Sequence, residues 1–296
     1  MACYHPLTAY RTRGGDITFR QGHGVGVSIP LPCGQCIGCR LERSRQWAVR
    51  CMHEASMHVD NCFITLTYDD DHLPDPPTLV KRDFQLFMKR LRKYFSPKPI
   101  RYFLCGEYGD QTWRPHYHAI IFGINFQTDT VSGEGESGFE SYYSRDLERL
   151  WGLGFASFGR VDFGSAAYVA RYNLKKRGGK MAKDWYSRTD PITGEIYDLL
   201  PEFGHMSLKP GIGKAWYDKF YKDVFPSDNV VFKGREMAVP KYYSKLFDKS
   251  DPFVFEAIKL SRVRRASRHK ANNTSERLAV RKEVKESRII NLKRSI

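Results

Sequence analysis

Two apolar runs separated by a short polar segment constrain the fold of this chain more than any other feature. The runs Ile100–Cys105 and His116–Gly123 flank a Gly-, Asp- and Pro-containing segment, so we predict neighbouring strands joined by a loop. Side chains two apart on a strand share a face, so His116 and His118 can bind one metal ion. Glu107 ends the first strand and can add a carboxylate. The pattern predicts a metal site, although paired histidines are also ordinary on half-exposed sheets.

The charge of the chain indicates a polyanionic partner. Its 296 residues suffice for one large domain or two modest ones, and 48 Lys and Arg against 33 Asp and Glu give a net charge of +15. Such a balance is typical of proteins that bind nucleic acid, although many other proteins are basic. No apolar run approaches the roughly 20 residues of a membrane helix, and the N-terminus lacks a signal-peptide core. We therefore expect a cytoplasmic protein without membrane contact.

The motif C-x-x-C-x-x-C at 33–39 predicts a tight knuckle around a metal ion. In a cytoplasmic chain, clustered cysteines indicate metal ligands or free thiols rather than disulfides. Three thiolates leave tetrahedral Zn²⁺ one ligand short. We predict Cys3 as the fourth ligand, because the glycine-rich segment between can fold back as a hairpin; Cys51 and His53 are the alternatives. Iron–sulfur ligation and unliganded thiols are competing interpretations. The predicted structural zinc ligands are Cys3, Cys33, Cys36 and Cys39.

Hydrophobic periodicity predicts the elements around the histidine strand. Strands are predicted at Cys62–Tyr68 and Ala156–Phe163, and helices at Val80–Tyr94, at Arg145–Trp151 and after Arg40. The stretch 127–144 is predicted to be a mobile surface loop, and 190–194 a hairpin turn. A further helix is predicted to start at Ser165 as its N-cap and to end at Gly178-Gly179. The order β-α-β-β-α-β predicts an α+β fold with a ferredoxin-like, split β-α-β antiparallel sheet.

The last of these helices carries two tyrosines on one face. Tyr168 and Tyr172 are four positions apart, and basic residues surround them. A tyrosine hydroxyl beside cations and a metal ion can attack a phosphodiester and remain joined to the phosphate. The ordinary alternative is an aromatic pair that packs the helix on its sheet. The basic residues are Arg171, Lys175, Lys176 and Arg177.

Five stretches of the chain resemble the replication initiators of small single-stranded DNA phages, the microviruses of gokushovirus type. These initiators are rolling-circle replication endonucleases of the HUH superfamily. The stretches agree in order and spacing, and they are PCGQCIGCRLERSRQW, FITLTYDDDHLP, GEYG followed by RPHYHAIIFG, YVARY with its basic tail, and MSLKPGIGKAW. The resemblance extends from Met1 to about Trp216.

This resemblance implies a metal-dependent nickase that also rejoins DNA. The ion would be Mg²⁺ or Mn²⁺, held by His116, His118 and Glu107. A tyrosine would attack the scissile phosphate and leave a 5′-phosphotyrosine and a free 3′-OH primer. A second tyrosine on the same face would cleave the regenerated origin, and strand exchange would release a circle.

One residue between the tyrosines departs from the family pattern. The family usually has Lys where this chain has Arg171, which keeps the charge but is a poor proton carrier. Tyr172 and Lys175 keep the Y-x-x-K form, so we favour Tyr172 as the first nucleophile, with Lys175 nearby and Tyr168 as the second tyrosine.

The resemblance also implies partners. Single-stranded DNA or a melted replication origin would be the substrate, and a host helicase and DNA polymerase would act with the protein in the bacterial cytoplasm. Gly211-Ile-Gly213 precedes a predicted helix, so its amides can face a phosphate or form an ordinary tight turn. The predicted phosphate contacts are Arg40, Arg43, Arg101, Arg114, Arg171, Lys176 and Arg177.

We expect three parts along the chain. Residues 1–58 form a Cys-rich, zinc-knuckle-like segment with a helix, 59–225 an HUH endonuclease domain, and 226–296 a basic, mostly helical extension. The rival interpretation is a nonenzymatic nucleic-acid-binding module with a structural zinc knuckle. A plasmid relaxase of the same superfamily is a second rival, but it usually has a third metal histidine and an N-terminal tyrosine that are not found here.

Overall fold

The structure, a computed structural model, describes residues 3–109, 112–127, 129–134, 140–170, 182–190 and 193–290. The chain divides into two compact units. One unit contains the residues up to Arg43 together with those from Leu246 onward, and the other contains Ser44–Lys245. The three-part division at residues 58 and 225 stays a prediction.

The elements of the described residues alternate along most of the chain. The strands are β1 (Leu7–Arg11), β2 (Ile17–Thr18), β3 (Val25–Leu31), β4 (Asn61–Thr67), β5 (Arg101–Tyr108), β6 (Pro115–Phe122), β7 (Thr130–Glu134), β8 (Glu140–Tyr143), β9 (Ala156–Gly159), β10 (Ser187–Thr189), β11 (Ile196–Asp198), β12 (Phe203–Met206), β13 (Asn229–Phe232) and β14 (Arg235–Ala238). The α-helices are α1 (Ile37–Ala55), α2 (Lys81–Tyr94), α3 (Arg145–Trp151), α4 (Phe163–Ala170), α5 (Ala182–Tyr186), α6 (Lys214–Val224), α7 (Lys241–Ser250), α8 (Pro252–Ser267) and α9 (Ser275–Ile290).

The larger unit is organised by a seven-stranded sheet in the order β12-β5-β6-β4-β9-β8-β7. Every neighbouring pair in it is antiparallel. The molecule is therefore a mixed α+β protein with antiparallel sheets, as predicted. The predicted strands at 62–68, 100–105 and 116–123 are confirmed to within a few residues, as are the helices at 80–94 and 145–151.

The two faces of the sheet are covered by different helices, because successive side chains of a strand point to opposite sides. On one face, Tyr117 and Ile121 of β6 belong to the same buried cluster as Phe87 of α2. On the other face, Ile120 of β6 belongs to a cluster with Val169 of α4. The histidines of β6 share the parity of Ile120, so α4 covers their face.

Two predictions for the region before α4 are wrong. The predicted strand to Phe163 ends at Gly159, and α4 already begins at Phe163. Ser165 is not the N-cap: the Asp162 carboxylate accepts a hydrogen bond from the Ser165 amide at 2.7 Å, and the Ser165 hydroxyl accepts one from the Asp162 amide at 2.9 Å. This reciprocal pair is a capping box with Asp162 as the cap, so the helix begins earlier than predicted.

The predicted mobile loop at 127–144 is also corrected. In its described part, β7 and β8 pair with each other and extend the sheet beside β9. The predicted hairpin turn at 190–194 is confirmed, because β10 and β11 pair antiparallel around it. The predicted end of the tyrosine helix at Gly178-Gly179 lies outside the described residues.

The smaller unit contains the antiparallel sheet β2-β1-β3, which is the predicted hairpin between Cys3 and the cysteine motif. Two helices, α8 and α9, belong to this unit, in agreement with the predicted helical character of the C-terminal part. Among the described residues, no helix is long and apolar enough to cross a membrane.

Candidate active site

The pairing of two neighbouring strands brings the predicted metal ligands together. Glu107 of β5 lies directly opposite His116 of β6, and Cys105 lies opposite His118. Directly opposite residues of an antiparallel pair share a face, so Glu107 and both histidines project from the same side of the sheet. Their ligand atoms all lie within 4.8 Å of one another. These three residues are called the histidine cluster below.

Hydrogen bonds fix the orientation of the two imidazole rings. His116 Nδ1 lies 3.1 Å from the carbonyl oxygen of Arg114, which can only accept, so Nδ1 carries the proton in this contact. In a neutral ring, this leaves the lone pair on Nε2, 3.3 Å from Glu107 Oε1. His118 Nδ1 lies 3.0 Å from the Thr65 hydroxyl, and its Nε2 also faces Glu107, at 3.5 Å. Both Nε2 atoms are therefore turned towards one carboxylate.

The burial of this group favours a cation. Glu107 is 2% exposed and His118 is 8% exposed. A buried carboxylate is costly unless a positive charge or hydrogen-bond donors compensate it. A divalent ion held by two imidazoles and one carboxylate would compensate it, and this donor set suits Mn²⁺ and similar ions. The residues present thus fit the predicted catalytic metal.

Tyr168 of α4 reaches this cluster. Its hydroxyl donates to Glu107 Oε1 at 2.9 Å and lies 3.2 Å from His118 Nε2. Phe63 of β4 contacts both rings: it stacks on His118 at a centroid distance of 5.6 Å and meets Tyr168 edge-on at 6.2 Å. The tyrosine is therefore fixed between the sheet and the candidate ligands. The predicted juxtaposition of Tyr168 with the histidines is present.

Several of the predicted site residues cannot be compared with the structure. They lie in 171–181, outside the described residues. They are Arg171, Tyr172, Lys175, Lys176 and Arg177.

The four predicted zinc ligands also come together, and they are called the cysteine cluster below. The sulfur of Cys3 lies 3.6 Å from that of Cys33 and 3.9 Å from that of Cys36. Gly34 has a left-handed backbone with φ of 75°, which allows the tight turn between the first two cysteines of the motif. The set contains Cys3, Cys33, Cys36 and Cys39, and neither of the alternatives, Cys51 and His53.

Main-chain amides surround the sulfurs of the cysteine cluster. The Tyr4 amide donates to Cys36 Sγ, and the Cys36 amide donates to Cys33 Sγ, both at 3.3 Å. Although burial opposes it, hydrogen bonds from Tyr4 and Cys39 lower the pKa of Cys36 to about 6. Burial raises the pKa of Cys39 to about 12 and also raises that of Cys3. Amide donors to sulfur are the usual surroundings of thiolate metal ligands.

Three of the arginines predicted to contact phosphate have partners within the protein. Arg101 forms an ion pair with Glu54 and donates to the Pro210 carbonyl at 2.6 Å. Arg114 donates to Asp70 at 2.6 Å and to the Tyr68 carbonyl at 3.0 Å. Arg43 donates to the Gly34 carbonyl at 3.4 Å, and Arg40 lies in α1. The contact of these four arginines with phosphate stays a prediction.

The predicted phosphate-binding turn before α6 binds a different anion. The amide of Gly213 donates to the buried carboxylate of Glu54 at 2.6 Å. Although burial opposes it, hydrogen bonds from His58 and Gly213 and the charge of Arg101 lower the pKa of Glu54. A helix N-terminus favours negative charge, and here a carboxylate of the same chain supplies it. The phosphate interpretation of this turn is therefore wrong.

His53, the other alternative zinc ligand, has a structural role. It is buried and lies 3.0 Å from the Tyr243 hydroxyl through Nδ1, and it stacks on Trp216 with a centroid distance of 3.5 Å. Burial lowers its pKa to about 4. Cys51 is fully buried in a core cluster, where burial raises its pKa.

Sequence reasoning missed two residues beside the histidine cluster, Phe63 and Thr65. Both belong to the strand FITLTY, and their alternation was the signal that could have found them. In the sheet, Thr65 lies opposite His118 and Thr67 lies opposite His116, so odd-numbered residues of β4 share the histidine face. The sequence did not show which strand pairs with β6, so the pattern alone could not connect them.

Comparison with known proteins agrees with this site. The family model for replication-associated proteins of the ORF2 type matches residues 61–177, which contain the histidine cluster and Tyr168. The chain is 36% identical over 264 residues to replication-associated protein VP4 of Bdellovibrio phage phiMH2K, with 85% of this chain and 79% of the relative covered. It is 31% identical over 294 residues to replication-associated protein ORF2 of Spiroplasma virus 4, with 90% and 88% covered.

A third relative, replication-associated protein ORF4 of Chlamydia phage 1, is 38% identical over 233 residues, with 75% of this chain and 54% of the relative covered. No solved structure matches the chain significantly. The matches define a replication-associated protein as the class. The chain belongs to the family of phage replication-associated proteins represented by these relatives. The resemblance to microvirus replication initiators is thereby confirmed.

Proposed function

We propose that this replication initiator is a metal-dependent, site-specific nickase and strand transferase that acts on single-stranded DNA. The observation that supports this most is the position of the Tyr168 hydroxyl, within hydrogen-bond distance of Glu107 and of His118. A nucleophile beside three candidate metal ligands is the arrangement that phosphodiester cleavage requires. The family and the net charge of +15 are consistent with a DNA substrate.

The chemistry follows from the position of each group. The phenolic proton of Tyr168 already points at the Glu107 carboxylate, which can accept it as the oxygen attacks phosphorus. The bond from tyrosine oxygen to phosphorus forms as the bond from phosphorus to the 3′ oxygen breaks, and that oxygen takes up a proton from water. The products are a 5′-phosphotyrosine and a free 3′-OH primer. Bound Mg²⁺ or Mn²⁺ would stabilise the charge that develops on the phosphate oxygens.

The strand order supports assignment of this domain to the HUH type. The four strands β5, β6, β4 and β9 are adjacent in this order, and α2 joins β4 to β5 across the intervening β6. This is the arrangement of a split β-α-β, ferredoxin-like sheet, with α3 between β6 and β9 in the chain. Strands β12, β8 and β7 would be additions at the two edges.

We also propose that the cysteine cluster holds a structural Zn²⁺. Four thiols whose sulfurs lie within 4.8 Å of one another supply the complete ligand set of a tetrahedral site. The sequence contains no nucleotide-binding P-loop, so unwinding and synthesis would come from a host helicase and DNA polymerase in the bacterial cytoplasm.

The test is covalent trapping of DNA. The protein is incubated with labelled single-stranded phage origin DNA and Mg²⁺ or Mn²⁺, and a denaturant-resistant adduct is sought for the wild type and for Tyr168→Phe, Tyr172→Phe and the double variant. Tyr94→Phe, on the exposed surface of α2, is the matched control and should form the adduct normally. Loss in one single variant would identify the first attacker, and loss only in the double variant would establish two interchangeable nucleophiles.

The nonenzymatic binding module predicts a different result. It predicts no adduct with any origin fragment or metal, and binding that does not depend on either tyrosine. No adduct from the wild type under all these conditions would therefore contradict the proposed nickase.

A further inference from the structure

A pocket of about 300 Å³ lies beside the loop that leads into the histidine strand. Its walls combine aromatic rings, guanidinium groups and aliphatic side chains. The volume is at the lower end of the range for small-molecule sites, roughly 300–1,000 Å³, and so suits one flat ring system rather than a large ligand. The lining residues used below are Leu73, Trp113, Arg114, Arg188, Tyr197 and Leu199.

We propose that this pocket binds one unstacked base of single-stranded DNA and so positions the scissile phosphate at the histidine cluster. The proposal rests on the nickase function proposed above and adds a site of base recognition to it. Proteins bind single strands by stacking bases on aromatic and guanidinium planes within a positively charged groove. The pocket offers both kinds of plane.

The chemistry of the walls matches a base. The Arg188 guanidinium lies 4.1 Å from the centre of the Trp113 ring, and Trp185 lies on the same side of the loop with a ring distance of 5.8 Å from Trp113. Arg188 donates to the main-chain carbonyls of Trp185 and Ser187, which carry no formal charge. Its positive charge can therefore attract a phosphate next to the bound base.

The hairpin of β10 and β11 forms one side of the pocket. Arg188 and Tyr197 are directly opposite each other in this hairpin, so both side chains lie on the pocket face. The neighbouring Ile196 lies on the other face and is 71% exposed. The hairpin thus supplies a lining residue and an adjacent residue outside the pocket, which makes a matched pair of variants.

The main chain connects this pocket directly to the metal ligands. Arg114 lines the pocket with its side chain, while its carbonyl oxygen is the group that orients His116 through Nδ1. The same carbonyl accepts a hydrogen bond from the Gly109 amide at 3.1 Å, which closes the loop. A base held at Trp113 would therefore be anchored within the short segment that precedes the first histidine of the cluster.

The backbone of Trp113 is consistent with a functional position. Its φ is +55°, in the left-handed region that bulky residues rarely adopt. Such conformations persist where the surrounding structure holds them, and they are concentrated at binding and catalytic sites. Its amide is held by the Gly109 carbonyl at 3.1 Å.

The test combines a variant of the pocket with a missing base in the DNA. Overlapping single-stranded fragments of the phage genome are first screened by fluorescence anisotropy with the full chain, without added Mg²⁺ or Mn²⁺, to find the tightest fragment. A series of that fragment with one abasic position each is then measured with the wild type, Trp113→Ala, Arg188→Ala, Tyr197→Ala and the control Ile196→Ala.

We expect one or two abasic positions to weaken wild-type binding by roughly 5- to 100-fold. Trp113→Ala should weaken the intact fragment similarly and become insensitive to those positions. Arg188→Ala and Tyr197→Ala should show a smaller loss at the same positions, and Ile196→Ala should bind like the wild type. If Trp113→Ala unfolds the chain, the other two variants carry the same test.

Two outcomes would overturn the proposal. One is a loss that is equal at every abasic position, and the other is a pocket variant that keeps the full sensitivity of the wild type. Because binding is measured without the catalytic metal, failure of the nickase chemistry would show in the adduct assay and leave this result unchanged.

Discussion

The cysteine cluster and the histidine cluster are both compact sets of metal ligands, but they differ in what occupies the fourth position. In the cysteine cluster, Cys3 completes a set of four thiols, and main-chain amides donate to the sulfurs. In the histidine cluster, the neighbour of the three ligands is the hydroxyl of Tyr168. Structural metal sites are closed by four protein ligands, whereas catalytic sites keep a position for a reacting group. The comparison therefore assigns stability to one cluster and chemistry to the other.

The two clusters also differ in how the chain positions their ligands. The cysteine ligands lie on a tight turn, on the first turns of α1 and on the segment before β1. The histidine ligands lie on adjacent strands in fixed register. A turn can rearrange when its ion leaves, whereas the sheet keeps its register through main-chain hydrogen bonds. We therefore expect metal removal to unfold the first and to leave the second assembled.

Breaking the cysteine cluster should give the largest effect on stability. Cys33→Ser should reduce the zinc content from one per chain towards zero and lower the free energy of unfolding by on the order of 5 kcal/mol, because zinc binding supplies folding energy in such small sites. Metal analysis and denaturant unfolding measure the two quantities. Cys62→Ala is the control: it leaves a cavity in the core and lowers stability, yet should retain zinc. Purified wild type without zinc would contradict this assignment.

Breaking the histidine cluster should remove chemistry instead. His118→Ala should reduce the rate of adduct formation by at least about 10³-fold, equivalent to about 4 kcal/mol of the barrier, while DNA binding and the melting temperature change little. His205→Ala, an exposed histidine on β12, should behave like the wild type. Adduct formation retained by His118→Ala would favour the nonenzymatic module.

The parts of the site that were predicted from the sequence have local signals. The spacing of His116 and His118 on one strand follows from a period of two, and the knuckle follows from the spacing of its cysteines. Strand and helix positions were correct where apolar residues repeat at a clear period. The choice of Cys3 rested on glycines that allow the chain to return, and the three-stranded sheet of the smaller unit provides that return.

The parts that were missed depend on contacts between distant segments. Glu54 is 159 positions from Gly213, and no local pattern shows that a buried carboxylate will take the place of a phosphate at that turn. The edge strands β7 and β8 have a Gly-, Ser- and Glu-rich sequence that looks like a loop, and only pairing beside β9 makes part of it a strand. Thr65 could be linked to His118 only once the strand order was known.

A third measurement separates acid effects on the fold from acid effects on either cluster. His53 stays neutral in the folded chain because burial lowers its pKa from 6.5 to about 4. As the pH falls from 6.5 towards 4, the unfolded chain binds a proton that the folded chain does not, so stability decreases. The loss should total about 3 kcal/mol, with about 2 kcal/mol of it between pH 7 and pH 5.

Denaturant unfolding of wild type and His53→Gln at several pH values tests this expectation. The variant should lose the slope between pH 7 and pH 5, a window that lies above the region where Glu54, with its lowered pKa, would contribute. An unchanged slope in His53→Gln would show that the acid sensitivity comes from other groups, the two clusters among them.

The smallest effect, and the finest test of the comparison, concerns the positioning of one ligand. Thr65→Val keeps the shape of the side chain but removes the hydroxyl that lies 3.0 Å from His118 Nδ1. Groups that orient a metal-binding histidine typically contribute about 10- to 100-fold to metal affinity or activity. We therefore expect the Mn²⁺ concentration for half-maximal adduct formation to rise by that factor, with the rate restored at high Mn²⁺.

Rescue by metal is what distinguishes a positioning role from a purely structural one. Ser157→Ala removes a hydroxyl from the residue opposite Thr65 on β9, and it should leave the Mn²⁺ dependence unchanged. If Thr65→Val lowers the rate equally at every Mn²⁺ concentration, the hydroxyl supports the sheet rather than the ligand. If it shifts the Mn²⁺ dependence, the histidine cluster depends on a side chain of a third strand, so its open position is held by the sheet itself, unlike the closed cysteine cluster.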